Sequence, residues 1–244
     1  MSGKLIKLEY RKKLLFIFAI WWAIWAYKPW FFSDWITENV LTVLFITFFI
    51  LSRNSFRLSN LSYTLLFIFM SLHTIGAHYT YAEVPYEKWT AALGFSINET
   101  FGFTRNHFDR LVHFSFGFLL AYPMREMFMR VAGAKGAWSY YLPLELVMSL
   151  SMLYELIEWG VTYVVGGDLG MAYLGTQGDI WDAHKDMGLA SLGAAIGMTV
   201  VALVNRHYDR DFGKEFAESL KVNEEVPLGE VKLQEIKELK KDLD

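Results

Sequence analysis

Residues 175–186 read GTQGDIWDAHKD, placing Asp179, Asp182, His184 and Asp186 between two apolar runs. Carboxylates and imidazoles at this density can hold a divalent cation or move protons. Partners of the same chemistry lie elsewhere in the chain. Asp109 and His113 stand four apart, Glu155 and Glu158 three apart, and Asp179, Asp182 and Asp186 at i, i+3 and i+7. Each spacing puts its residues on one face of a helix. His73 and His78 are five apart, a poor helical match unless the helix loosens at Gly76.

Plainer roles exist for most of these residues. Asp109 and Asp179 fit helix N-caps, His107, Asp168 and His184 fit solvated loops, and Arg105 fits an interface anchor. Glu155 and Glu158 are harder to dismiss, because they lie inside an apolar run. Carboxylates buried in a membrane helix cost several kcal/mol unless protonated, paired or metal-bound. Two on one face repel each other and need a shared proton or a cation between them. A ligand set of carboxylates and imidazoles without sulfur suits Zn, Mn, Fe or Mg. The expected metal ligands are His78, Asp109, His113, Asp179, Asp182 and Asp186. Glu155 and Glu158 are the candidate catalytic bases, and Arg105 and His107 the candidate phosphate binders.

The elements that position these groups follow from composition. The 244 residues are 54% hydrophobic and include 9 Trp and 20 Phe, more than a soluble domain of this length carries. The net charge of -3 gives no footprint for nucleic acid. There is no cysteine, which excludes disulfides, thiolate metal sites and cysteine nucleophiles. Apolar runs of helical length fall at about 14–32, 36–52, 61–81, 108–128, 142–165 and 187–205. They predict an all-α, polytopic membrane bundle of about six transmembrane helices. The basic start followed by an apolar run resembles a signal peptide, but no small-residue cleavage site follows, so a retained first helix is expected.

Basic residues set the orientation. Lys4, Lys7, Arg11, Lys12 and Lys13 precede the first run, Arg53 and Arg57 follow the second, Arg125, Arg130 and Lys135 the fourth, and Arg206, Arg210 and Lys214 the sixth. These alternate loops share one side, so both termini are expected in the cytoplasm. The ionisable residues at 73–78, 105–113, 155–158 and 179–186 then converge on the outer half of the bundle. Residues 1–205 form the expected membrane domain, and 206–244 a charged tail carrying an amphipathic segment, KLQEIKELKKDL. The loop at 82–108 permits either membrane re-entry or a path along the surface.

The run Asp109-Arg-Leu-Val-His113 resembles the D-K-x-x-H helix of VanZ-like membrane proteins. Tyr154-Glu155-Leu-Ile-Glu158 stands in the place of that family's E-x-x-Q, and Asp186, seven before Gly193, in the place of its D-x-x-x-N-x-x-G. Glu158 replaces the Gln and Ala190 the Asn; a shifted alignment would instead use Asp182 and Asp186. This likeness covers about 105–200. Over nearly the full length the chain is similar to the YjdF-type bacterial inner-membrane proteins, through GAHYTYAEVPYEKW, RNHFDRLVHFSFGF, YELIEW and GTQGDIWDAHKDM. The resemblance implies the bacterial inner membrane and a cell-envelope context, and it implies no reaction.

Three functions fit these residues. One is a metal-dependent hydrolase or transferase acting on lipid-linked or envelope substrates. A second is an ion-coupled transporter. A third is a non-catalytic module that binds lipid or ligand. Membrane lipid is the expected partner, with a lipid-linked substrate for the first reading. The chain has no G-x-S-x-G, no H-E-x-x-H and no phosphate loop, so the enzymes built on those motifs are excluded.

Overall fold

The computed structural model describes residues 2–51, 56–165, 176–208, 212–222 and 228–241. Arg53, Asp168 and Arg210, singled out above, lie outside the described residues. Six described helices run 20 residues or more: α1 (Ser2–Trp25), α2 (Phe32–Leu51), α3 (Asn60–Tyr79), α6 (Phe108–Val131), α7 (Trp138–Val165) and α8 (Asp182–Tyr208). At a rise of 1.5 Å per residue, 20 residues reach about 30 Å, the thickness of a bilayer's hydrocarbon core. Shorter helices fill the gaps: α4 (Tyr86–Ala91), α5 (Ile97–Phe101), α9 (Phe212–Glu218) and α10 (Leu228–Lys241). No strand occurs among the described residues.

The expected bundle is therefore present, and its helix limits differ from the apolar runs in instructive ways. Two helices, Asn60–Tyr79 and Asp182–Tyr208, are apolar enough to cross a membrane on length and composition alone. Others carry charge at their ends, such as Asp109, Arg110, Arg125 and Glu126 on α6, which dilutes their hydropathy. The first run was expected to continue to residue 32, but α1 stops at Trp25 and Lys28 takes a left-handed φ of 52°. The sixth run was expected to start at 187, but α8 starts at Asp182. Residues 179–182 form a turn ahead of it, closed by the Asp182 N–H on the Asp179 carbonyl, and behind that turn Gln177 and Gly178 hold φ values of 47° and 85°.

α6 and α8 make the closest contact of the bundle, through backbone rather than side chains. Gly117 of α6 lies against the backbone of Ala190 and Ala194, and Gly193 of α8 against that of Phe114 and Phe118. Ala190 and Ala194 are fully buried in this seam. Small residues at such spacing let helix backbones approach within a membrane, where the hydrophobic effect offers no driving force between helices. α7 packs across both α6 and α8, while α3 packs on α6 and carries α1 and α2 on its other sides. The core beneath is built from Phe69, Met70, Val112 and Leu120. Leu156, Ile157, Leu192, Ile196, Val200 and Leu203 face outward instead, as lipid-facing residues do.

The ends of the helices group as the basic-residue rule requires. At the inner end, the Glu126 carboxylate of α6 accepts the Ser59 N–H at 2.9 Å and the Ser62 hydroxyl at 2.6 Å, closing the N-terminus of α3. Arg130 reaches the Arg57 carbonyl there, and the Ser219 hydroxyl after α9 accepts the Ala137 N–H at 2.8 Å. At the outer end, the Trp30 N–H bonds the His78 carbonyl, and residues 105–106 join 176–177. The segment between α3 and α6 is folded on itself. Glu87 accepts from Ser96 and from the Asn98 N–H, and the Tyr86 hydroxyl donates to Asn98.

Candidate functional site

The α6–α8 seam ends, on the outer side, in a group of acidic and imidazole side chains. Asp109 sits in the first turn of α6, where the N-terminal dipole favours a carboxylate. Its i+4 neighbour His113 follows, with Nε2 3.5 Å from Asp109 Oδ1 and 3.6 Å from Glu155 Oε1 of α7. Asp186 enters from α8 and is 2% exposed. One ligand atom from each of Asp109, His113 and Asp186 lies within 4.8 Å of the others. Metal–ligand bonds of about 2.0–2.6 Å place such a set around a single ion. Asp186 Oδ1 and Glu155 Oε1 are buried without a hydrogen-bond partner.

A second acidic pair stands at the lip. Arg105 clasps Asp182 at 2.8 and 3.0 Å and donates to the Thr176 carbonyl at 2.8 Å. Arg110 reaches Asp179 at 2.6 Å and Asp182 at 3.1 Å, and Lys185 reaches Asp179 at 2.5 Å. The Lys185 ammonium, the Trp181 N–H and Arg110 hold the Asp179 carboxyl far below the usual range, at about 2. These cations are consumed at the lip. Among the described residues, Asp109, Glu155, Glu158, Asp186 and Glu38 have no Lys or Arg within salt-bridge reach. His113 is the ionisable nitrogen within reach of the deeper group.

The expected residues thus divide. Asp109, His113, Asp186 and Glu155 come together, and Glu158 lies one turn along α7. Asp179 does not share a helix face with Asp182 and Asp186. It lies in the turn before α8, with Oδ1 accepting the Trp181 N–H and its carbonyl accepting the Asp182 N–H. Asp182 is bound to arginines rather than facing the deeper group as a bare ligand. His78 is turned away: its Nδ1 donates to the Trp25 carbonyl at 2.7 Å and its ring packs on Trp25 and Tyr79. Arg105 spends its donors on Asp182 and Thr176. His107 stacks on Phe103, donates from Nδ1 to the Arg105 carbonyl and accepts Arg110 at Nε2.

A family described as "Predicted membrane protein (DUF2238)" matches residues 11–207, from within α1 to the last turn of α8, and takes in every residue of the site. The chain belongs to this family. "Inner membrane protein YjdF" of Escherichia coli (strain K12) is 32% identical over 180 residues, 73% of this chain and 82% of the relative. The chain is an integral, multi-pass protein of the bacterial inner membrane, of the YjdF type. No solved structure matches it.

In this YjdF-type bundle the sequence reading missed Glu38. It lies on α2, is 8% exposed and accepts the Tyr154 hydroxyl at 3.3 Å, next to Glu155 in sequence. The His73 ring bridges behind it, donating from Nε2 to the Glu38 carbonyl and accepting the Tyr81 hydroxyl at Nδ1. The signal was available, since a carboxylate in an apolar run is as costly on α2 as on α7. Thr42 and Ser151, one turn inward from Glu38 and Glu155, bury hydroxyl oxygens without partners. The polar region therefore extends a turn deeper than the carboxylates.

Proposed function

We propose that the outer end of this bundle is a metal-dependent hydrolase or transferase site for lipid-linked phosphates or esters. The observation that carries the reading is the convergence of Asp109, His113 and Asp186, with Arg105 and Arg110 in salt-bridge contact with Asp179 and Asp182 instead. Like charges at this separation in a low-dielectric layer cannot all remain ionised unless a cation joins them. Zn, Mn, Fe or Mg fits the donor set, which offers oxygen and imidazole nitrogen alone. Asp109, His113 and Asp186 would hold the ion, and the ion would supply Lewis acidity toward a phosphoryl or carbonyl oxygen. Glu155, 3.6 Å from His113 and with one oxygen lacking a hydrogen-bond partner, would act as the general base. Glu158, one turn along α7, and Glu38 of α2 add two more carboxyl groups beside it. Arg105 and Arg110 act as positioning residues here, because they tie the start of α8 to α6 and so hold Asp186 in place. The depth of the site, below the outer surface of a membrane protein, points to a lipid-borne substrate. A relation to VanZ-like proteins through Asp109, His113, Glu155 and Asp186, and a role in the cell envelope, would fit this reading.

Transport is the alternative that one observation favours, the unpartnered hydroxyls of Thr42 and Ser151 extending the polar region inward. Non-catalytic ligand binding would use the same group for affinity. Elemental mass spectrometry on protein purified without chelator or added metal separates these readings. Near-stoichiometric metal in wild type, lost in Asp186→Asn and His113→Ala, is expected. Metal retained in Glu155→Gln, with turnover of lipid phosphates or esters abolished, would identify the base. Well-folded wild type without metal would sink the hydrolase reading.

A further inference from the structure

A second site lies at the opposite end of the bundle and shares no residue with the acidic one. α1 and α2 both pack on α3 and leave a crevice of about 210 Å³ between them. Its walls are apolar, formed by Phe18, Ile46, Leu66 and Met70, and two cations, Arg11 and Lys12, line it as well. The Tyr10 hydroxyl lies 2.6 Å from Thr64 Oγ1, one turn from the inner start of α3. Arg11 lines the crevice with Tyr63 and Leu66, within two turns of the inner end of that helix, at the level where headgroups meet acyl chains. Its Nη1 is buried and has no partner. A buried donor without an acceptor is costly, and guanidinium suits phosphate oxygens above other anions.

We propose that this crevice binds one acyl chain of an anionic phospholipid of the inner leaflet, with its phosphate on Arg11 and Lys12. A cavity of about 150 Å³ with Leu, Ile and Phe walls stays dry and accepts apolar ligands, and this one is larger. At this depth in a bilayer, the apolar matter available is acyl chain. Anionic lipid is enriched on the cytoplasmic face and is drawn to basic juxtamembrane residues.

Native mass spectrometry and thermal unfolding in mild detergent test the assignment, with phosphatidylglycerol, phosphatidylcholine of the same chains, and inorganic phosphate as probes. Wild type is expected to retain a single phosphatidylglycerol and to be stabilised by it more than by phosphatidylcholine. Arg11→Gln with Lys12→Gln is expected to lower phosphatidylglycerol affinity roughly tenfold and phosphatidylcholine affinity by less, because the choline cation already offsets that lipid's phosphate. Met70→Trp, which fills the crevice, is expected to weaken both lipids, and Lys13→Gln, outside it, neither. Equal affinity for the two lipids in wild type would overturn the proposal. So would unchanged phosphatidylglycerol affinity in the double variant, or equal stabilisation by phosphate alone.

Discussion

Gly193→Ala tests whether the α6–α8 seam positions the acidic group. A Cβ at Gly193 would collide with the Phe114 carbonyl oxygen and stand 2.9 Å from the Phe118 nitrogen. Both are backbone atoms and cannot rotate away. Ordinary C···O contacts are about 3.3–3.6 Å, so the helices must part by about 1 Å. Phe114 adjoins His113, and Gly193 lies two turns from Asp186, so the parting is felt at the ligands. The ligand atoms lie within 4.8 Å of one another, and adding about 1 Å carries them toward or past the roughly 5.2 Å that two bonds of 2.6 Å can bridge. Overpacking costs about 1–3 kcal/mol, offset by up to about 1 kcal/mol of helix propensity. The net loss of about 1–2 kcal/mol corresponds to roughly 2–8 °C in Tm for a chain of this size. Gly197→Ala meets the Phe118 carbonyl oxygen at 2.9 Å and needs a shift of only a few tenths of an ångström, so its effect is smaller. Gly160→Ala on α7 meets nothing within 4 Å and serves as the neutral control. Thermal unfolding and metal content are measured on the same preparations. Gly193→Ala with the stability and metal content of Gly160→Ala would refute the reasoning.

Four further outcomes follow from particular contacts. Asp186→Asn is expected to cut metal content severely while keeping the fold, checked by elemental analysis beside size-exclusion chromatography. Glu126→Ala removes the acceptor of the Ser59 N–H and of the Ser62 hydroxyl and should lower stability by about 1–3 kcal/mol in thermal unfolding. Tyr81→Phe strips His73 Nδ1 of its donor and should cost about 1–3 kcal/mol in the same assay. Asp179 gives a pH signature. Its carboxyl is depressed to about 2 in the folded state, against an ordinary value of about 3.9. Its contribution is therefore full above about pH 4 and is lost as pH falls toward 2. The Tm gap between wild type and Asp179→Asn should close over that window, and a gap constant from pH 6 to 2 would contradict the assignment.

The sequence made the outer acidic layer legible because intramembrane carboxylates are too costly to be incidental. Glu155, Asp109, His113 and Asp186 were all visible in this way, and their helical spacings identified which faces they occupy. Glu38, near the start of the apolar run at about 36–52, was passed over because no second ionisable residue within that run shares its helix face. The tail's apolar stripe was also legible, and Leu233, Ile236 and Leu239 on α10 are exposed. Asp179 was misplaced because i, i+3, i+7 spacing presumes an unbroken helix. The left-handed backbone at Gln177 and Gly178 is set by the turn that joins Asn106.

By itself the sequence determined that the chain is a helical membrane bundle, and which ends of its helices lie together. Hydropathy and basic residues act locally, through the cost of moving each group into hydrocarbon, so they can be read one segment at a time. The tertiary structure decided which ionisable residues meet. Arg105 and Arg110 went to Asp179 and Asp182, and His78 went to a backbone carbonyl of α1. The deeper carboxylates were left with His113. That choice depends on the approach of α6 to α8 at Gly117 and Gly193, a distance set by backbone contact between residues some 75 apart in the chain. Periodicity shows which face a residue occupies, and packing decides what that face touches.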